Sequence, residues 1–168
     1  GVIVSSCDGC VIDACTFTNT AAPAPAPPVQ YLPPSAGLKL EAALPVTATS
    51  PVRDTVENVR VAGCRFDGNI TGLEIATDTN QGTVEEDMTR RGTTRRIVVD
   101  SNTFRHNGVN GRSWFKGKPW CGQGIYIWGY VHDAVVRGNS IDESGRDGIR
   151  LQSSWDVILA DNSITAPS

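Results

Sequence analysis

A short motif recurs five times along this 168-residue chain: a glycine is followed by an apolar, a variable and a second apolar residue. The copies are Gly1-Val2-Ile3-Val4, Gly37-Leu38-Lys39-Leu40, Gly72-Leu73-Glu74-Ile75, Gly124-Ile125-Tyr126-Ile127 and Gly148-Ile149-Arg150-Leu151. A second motif follows each copy, with the pattern apolar-x-apolar-x-x-[Asn or Cys]-x-[Phe or Ile]. Strict alternation of two motifs is typical of a chain that stacks one structural unit on the next.

Both motifs alternate at a period of two, which predicts β-strands with one buried and one exposed face. The segments between them are rich in Gly, Asn, Asp and Ser, which favour turns. The tightest repeat, from Gly124 to Gly148, spans 24 residues and has room for three short strands. Longer spacings indicate insertions, which we place at 20–36, 77–94 and 105–121. We therefore predict an all-β solenoid of about five coils, a single domain over residues 1–168.

One stretch of the repeat resembles a known family. Ser144-Gly145-Arg146-Asp147-Gly148-Ile149-Arg150-Leu151, followed by Trp155 to Ile164, resembles the parallel β-helix repeat of the pectin-lyase-like superfamily. The resemblance covers nearly the whole chain outside the insertions and implies a right-handed parallel β-helix. The superfamily includes polysaccharide lyases, glycoside hydrolases, uronate epimerases, phage tailspikes and periplasmic accessory proteins. Chemistry therefore has to be argued from individual residues.

The resemblance implies three sheets whose inward side chains stack in buried columns. The column of the third sheet consists of Phe17, Phe66, Phe104, Ile141 and Ile164. In the second sheet the buried residues are Cys10, Ile12, Val59, Val61, Ile97, Val99, Ala134, Val136, Val157 and Leu159. The outward column of that sheet is Val11, Arg60, Val98, Val135 and Ile158. It is either a plain β-branched surface or an interface with a second copy or a neighbouring domain through Val98, Val135 and Ile158.

Polar and thiol residues share one position of the repeat. Asn102, Asn139 and Asn162 resemble the asparagine ladder of the family, which satisfies backbone groups at a sharp turn. Cys15 and Cys64 hold the same position one coil apart, so that a disulfide and a buried thiol pair are both open. Cys7-Cys10 is a lone C-x-x-C without a second ligand pair, and we interpret it as structural rather than as a redox or metal site.

Composition limits the partners and the location of the protein. The net charge is -3 and Lys and Arg are scattered, so we expect neither nucleic acid nor a membrane surface as a partner. No apolar run approaches the roughly 20 residues that span a bilayer. Gly1 leads directly into an apolar strand, so we expect a piece of a longer chain. We also expect a secreted, periplasmic or cell-surface protein. No cofactor is indicated with certainty, and calcium is left open.

In enzymes of the superfamily, substrate lies along the outer surface of the first sheet. The matching residues here are Ile3, Lys39, Glu74, Tyr126 and Arg150, with Ser5, Glu41, Ala76, Trp128 and Gln152 in the second column. We expect Trp128 to form a flat platform for a sugar and Gln152 to bind beside it. The 105–121 insertion should overhang this surface and contribute His106, Arg112, Trp114, Phe115, Lys116, Lys118 and Trp120.

Two reactions fit such a surface. In β-elimination of a uronic acid, Arg150, Lys39, His106 or Tyr126 would act as the base. In hydrolysis, Glu74 would act with Asp147 or Glu41. No motif of the pectate lyases, polygalacturonases or alginate epimerases can be matched residue by residue. We predict a polysaccharide lyase or glycoside hydrolase that acts on an acidic polysaccharide, and the alternative is a non-catalytic structural or binding module.

Overall fold

The protein is a stack of parallel β-strands. The computed structural model describes residues 1–18, 36–42, 55–77, 93–108, 114–115, 118–119 and 122–165. Every helix or strand among these residues is a β-strand. The strands form three parallel sheets and one two-stranded antiparallel pair. This architecture confirms the predicted parallel β-helix.

In each sheet the strands lie side by side in chain order, as expected when each coil stacks on the one before. The first sheet consists of β1 (Val2–Val4), β5 (Ala36–Ala42), β8 (Thr71–Thr77), β13 (Ile125–Trp128) and β16 (Ile149–Gln152). The second consists of β2 (Cys7–Asp8), β3 (Val11–Asp13), β6 (Thr55–Ala62), β9 (Thr93–Asp100), β14 (His132–Arg137) and β17 (Trp155–Ala160). The third consists of β4 (Thr16–Thr18), β7 (Arg65–Asp67), β10 (Thr103–Arg105), β15 (Ser140–Asp142) and β18 (Ser163–Thr165).

The predicted insertions lie between these strands, although their ends do not match the strand ends. The strands β5, β8, β9 and β10 each extend one or two residues into a predicted insertion. The remaining pair, β11 (Trp114–Phe115) and β12 (Lys118–Pro119), is antiparallel and lies within the 105–121 insertion. Most other insertion residues lie outside the described ranges.

The interior is filled by columns of apolar side chains in the predicted register. In the third sheet, Phe66 and Phe104 are fully buried, and their rings stack with centroids 4.6 Å apart. Of the predicted core residues, Leu159 and Ile164 keep the register but are 47% and 53% exposed. Four others are half-buried and pack against the core: Cys10, Ile12, Phe17 and Val157. Within the described ranges, β17 and β18 have a neighbouring strand on one side only, so their inward side chains are covered from one side.

The repeated glycine is explained by the approach of one coil to the next. A Cβ atom on Gly72 would lie 2.6 Å from the carbonyl oxygen of Gly124. A Cβ atom on Gly124 would lie 2.8 Å from the carbonyl oxygen of Gly148 and 2.7 Å from the Ile141 side chain. Because these distances are shorter than carbon contacts allow, only glycine fits where the first sheet begins.

The corner from the second sheet to the third has the same length in every coil. Two residues always separate the strands, and the first of them has a positive φ. These are Ala14, Gly63, Ser101, Gly138 and Asp161. The second residue is the Asn or Cys of the repeat. A left-handed residue turns the chain sharply, and the side chain that follows is thereby directed into the core at each corner.

The predicted asparagine ladder is present at this corner. The Asn102 backbone amide donates to Oδ1 of Asn139 at 3.0 Å, and the Asn139 amide donates to Oδ1 of Asn162 at 3.1 Å. Each side-chain amide also donates to a carbonyl one coil back, as from Asn102 Nδ2 to Val61 at 3.0 Å. Each asparagine therefore satisfies a donor and an acceptor of the preceding coil.

A second ladder, which the sequence motifs did not predict, lies at the corner from the third sheet to the first. The Asn69 amide donates to Asn107 Oδ1 at 3.1 Å. The Nδ2 groups of Asn69 and Asn107 donate to the carbonyls of Phe17 and Phe66. In the sequence this ladder corresponds to a polar residue three positions after the core residue of a third-sheet strand. These residues are Asn69, Asn107 and the buried Ser144.

We expect Asn102→Ala to lower the free energy of unfolding by about 2 to 4 kcal/mol, because it leaves buried backbone groups of two residues unsatisfied. Urea unfolding followed by circular dichroism measures the change. The matched control is Cys64→Asn, which places the ladder amide where a thiol now stands. It should remain within about 1 kcal/mol of the parent, the net value of one hydrogen bond. Equal stability of Asn102→Ala and the parent would disprove a supporting role for the ladder.

Candidate functional site

The outer surface of the first sheet carries most of the site residues predicted from the sequence, and the strand register aligns them. Lys39, Glu74, Tyr126 and Arg150 are aligned in one column, and Glu41, Ala76, Trp128 and Gln152 in the next. We call the polar and aromatic members the first-sheet row, which consists of Lys39, Glu41, Glu74, Tyr126, Trp128, Arg150 and Gln152. Contacts between side chains join these residues across four strands.

Glu74 lies at the centre of the row and is almost completely buried, with 1% of its surface exposed. Its Oε1 atom accepts a hydrogen bond from Trp128 Nε1 at 2.9 Å and lies 3.5 Å from Lys39 Nζ. Its Oε2 atom is buried and has no hydrogen-bond partner within the described ranges. Burial raises the pKa of Glu74, and the nearby Lys39 charge and the Trp128 hydrogen bond only partly oppose this effect.

Lys39 lies between two carboxylates. Its Nζ atom is 2.7 Å from Glu41 Oε1 and 3.5 Å from Glu74 Oε1. Burial lowers the pKa of Lys39, but the two carboxylates outweigh it and raise the pKa above 10.5. Lys39 therefore remains protonated near neutral pH. This arrangement disfavours the predicted role of Lys39 as the base of an elimination.

The other half of the row is an aromatic surface with polar edges. The rings of Tyr126 and Trp128 lie 6.0 Å apart and 20° from parallel. The Tyr126 hydroxyl donates to Gln152 Oε1 at 2.8 Å, and the Arg150 guanidinium lies 5.4 Å from the Tyr126 ring centre. The two rings, the Gln152 amide and the guanidinium that lies over the Tyr126 ring combine apolar and hydrogen-bonding surface of the kind that a sugar contacts.

Of the two carboxylates predicted to assist Glu74, the structure brings only Glu41 close, through the shared Lys39. Asp147 lies 3.9 Å from Arg150 and 3.4 Å from Arg146. It precedes β16, and β13 separates that strand from the strand of Glu74. Asp147 therefore belongs to the far end of the row.

His106 lies apart from the row. It directly follows β10 of the third sheet, and its ring contacts Asp67 Oδ1 at 3.1 Å and Glu143 Oε2 at 2.9 Å. The hydrogen bond to Asp67 raises the pKa of His106, against a smaller effect of desolvation. No contact within the described ranges connects it to Glu74 or Arg150. Its predicted role as a base has no geometric support.

The remaining predicted binding residues lie in the 105–121 insertion and stay predictions. Arg112, Lys116 and Trp120 are outside the described ranges, and for Trp114 only the backbone pairing with Pro119 is described. Among the described residues, no group of three or more His, Cys, Asp and Glu side chains could hold a metal ion. In the same ranges no helix is long and apolar enough to span a membrane.

The second sheet carries the predicted apolar column on its outer face. Val11 and Ile158 are 66% and 59% exposed, whereas Val98 and Val135 are half-buried. Arg60 interrupts the column and pairs with Asp100 at 3.3 Å. Association through this face stays a prediction.

Comparison with known families identifies the architecture. The family model described as a right handed beta helix region matches residues 52–166, which is more than half of the chain. The protein therefore belongs to the right-handed β-helix family. No curated protein and no solved structure matches the chain significantly. The family accounts for the fold, and the chemistry must be inferred from the first-sheet row.

Glu74 should make the protein less stable as the pH rises. Its folded-state pKa is raised above the ordinary 4.5, so the folded protein holds this proton more tightly than the unfolded chain. This stabilisation is complete below pH 4.5 and is lost as the pH rises through the raised pKa. We expect the free energy of unfolding, measured with urea, to fall less steeply above pH 4.5 in Glu74→Gln than in the parent. Parallel pH profiles for the two proteins would contradict a raised pKa of Glu74.

Proposed function

We propose that the protein hydrolyses glycosidic bonds in a polysaccharide that binds along the first-sheet row. The observation that carries this proposal is Glu74, a buried carboxyl group beside an aromatic surface, with one oxygen that has no hydrogen-bond partner among the described residues. Carboxyl groups with a raised pKa act as general acids in glycosidases. Sugars pack their apolar faces on rings such as those of Tyr126 and Trp128.

The two carboxylates of the row would have different roles. Glu74 is the more buried, so a proton shared in this cluster is held there, and Glu74 would protonate the leaving oxygen. Glu41 is more exposed and its negative charge is balanced by Lys39 at 2.7 Å, so it would act as the base or nucleophile. Hydrolysis needs two carboxyl groups about 5 to 9.5 Å apart. The Oε1 atoms of Glu41 and Glu74 lie 2.7 and 3.5 Å from the same ammonium, so these two oxygens are no more than about 6 Å apart.

Elimination is less well supported. Lys39 is held in its charged form, and the Tyr126 hydroxyl already donates to Gln152. His106 lies on the third-sheet side of the stack. A guanidinium carries hydrogen-bond donors and no acceptor, so Arg150 is suited to binding rather than to proton abstraction.

The burial of Glu74 sets a condition on this mechanism. A glycosidic oxygen can reach the Glu74 carboxyl only if the groups that cover it rearrange when the glycan binds. Trp128 and Lys39 contact Oε1, and both are partly exposed. Movement of these side chains on binding would open the carboxyl to substrate and would let the glycan replace part of their contact surface.

The proposal is tested with a panel of neutral and uronic-acid polysaccharides, in which new reducing ends and the absorbance of unsaturated ends are followed together. We expect reducing ends without unsaturated ends. Glu74→Gln keeps an acceptor for Trp128 Nε1 and should lower kcat by about 10²- to 10⁴-fold, the usual contribution of a general acid. Tyr126→Ala should mainly raise KM, by about tenfold.

The matched control is Glu143→Gln, which removes a carboxylate near His106 and should leave both constants unchanged. The appearance of unsaturated ends would show that the reaction is elimination and not hydrolysis. If the wild-type protein releases neither kind of end from any polysaccharide of the panel, the non-catalytic alternative is favoured. In that case substitutions of Val98, Val135 or Ile158 alter association in sedimentation velocity, and Glu74→Gln leaves association unchanged.

A further inference from the structure

Cys15 and Cys64 occupy the ladder position in the first two coils. The Cys15 backbone amide donates to Cys64 Sγ at 3.4 Å, as the other ladder amides donate to Asn Oδ1. The Cys64 thiol lies 3.6 Å from the carbonyl of Ile12, where the asparagines make their second bond. Both cysteines are free thiols, whereas Cys7 and Cys10 are joined by a disulfide. The two thiols therefore form the rung of the ladder that lies between the first and second coils.

The strand register places the Cα atoms of Cys15 and Cys64 at a separation that a disulfide accepts. On one side of the corner Asp13 pairs with Ala62, and on the other Thr16 pairs with Arg65, both in parallel register. The Cα atoms of Cys15 and Cys64 are thus one strand spacing apart, about 4.8 Å. Disulfides accept Cα separations of about 4.4 to 6.8 Å. To form a bridge, both thiols must rotate away from the carbonyls that they now contact, Asp13 for Cys15 at 3.3 Å and Ala62 for Cys64 at 3.2 Å.

Sulfur makes this rung the weakest of the ladder. A thiol is a poor hydrogen-bond acceptor and a weak donor compared with an amide. The Asn102 rung, by contrast, includes a 2.9 Å bond from the Cys64 amide to Asn102 Oδ1. The first coil therefore lacks one of the strong contacts that hold the later coils together, at the position where two thiols meet.

We propose that Cys15 and Cys64 are a modification site, at which a small-molecule disulfide oxidises the two thiols to a reversible bridge between the first and second coils. The exposed Cys15, as its thiolate, attacks the reagent and forms a mixed disulfide, releasing one thiolate. Cys64 loses its proton and displaces the second thiolate from Cys15. Two protein thiols become one S–S bond, and the reagent is reduced to two thiols that take up the two protons.

The bridge would replace the weak rung with a covalent bond. It would also close a long loop of the unfolded chain, which contains the proline-rich 20–36 insertion. Restricting the unfolded state in this way stabilises the folded one, and we expect the melting temperature to rise by about 5 to 10 °C. Burial raises the pKa of Cys64, so attack should start at Cys15.

The test incubates the protein with oxidised glutathione, traps free thiols with N-ethylmaleimide and maps disulfides by mass spectrometry of non-reduced digests. We expect a Cys15–Cys64 linked peptide, two fewer cysteines labelled by N-ethylmaleimide and the higher melting temperature, all reversed by dithiothreitol. Cys15→Ser should lose all three effects. Cys64→Asn should lose them as well while retaining the fold, because the amide restores the ladder.

Three results would overturn the proposal. They are a stable glutathione adduct on Cys15 without the bridge, a bridge from Cys15 or Cys64 to Cys121, and unchanged thiols in a protein whose circular dichroism shows the native fold. A matching rise in melting temperature in Cys64→Asn would assign the stabilisation to another cysteine.

Discussion

Hydrogen bonds from one coil to the next hold this protein together, and two asparagine ladders complete them where strands cannot. Parallel strands satisfy the backbone within each sheet, but a sharp corner leaves buried amides and carbonyls without partners. Asn102, Asn139 and Asn162 satisfy them at one corner, and Asn69 and Asn107 at another. The register that these ladders impose is also what aligns Lys39, Glu74, Tyr126 and Arg150 on the outer surface.

The first-sheet row combines features that oppose stability. The buried carboxyl of Glu74, whose Oε2 has no partner in the part of the chain that the structure describes, costs free energy when it is charged, and a well-packed apolar residue would avoid that cost. Lys39 and Trp128 offset part of it through one carboxylate oxygen. A scaffold with many cooperative contacts between coils tolerates such a group, which is why binding and catalysis are commonly built on a rigid sheet surface.

The sequence predicts the architecture because a period-two repeat has few solutions, and it predicts the columns because residues in register share a face. It does not predict that Lys39 bridges Glu41 and Glu74, since side-chain contacts depend on rotamers that spacing does not specify. The place of His106 in a long insertion suggests that it belongs to the row, yet the chain leaves the third sheet there and directs the ring to Asp67. The ladder at Asn69 is not predicted because neither repeat motif includes that position.

The constant two-residue corner between the second and third sheets determines where the chain can change length. At that corner a left-handed residue is followed by the ladder residue, and all five corners keep the same spacing. The other two corners flank the first sheet, and all the long connections, such as 43–54 and 78–92, lie there. Insertions are thus confined to the loops on the two borders of the row. Loops of different length at these borders would change the surroundings of the row without changing the β-helix behind it.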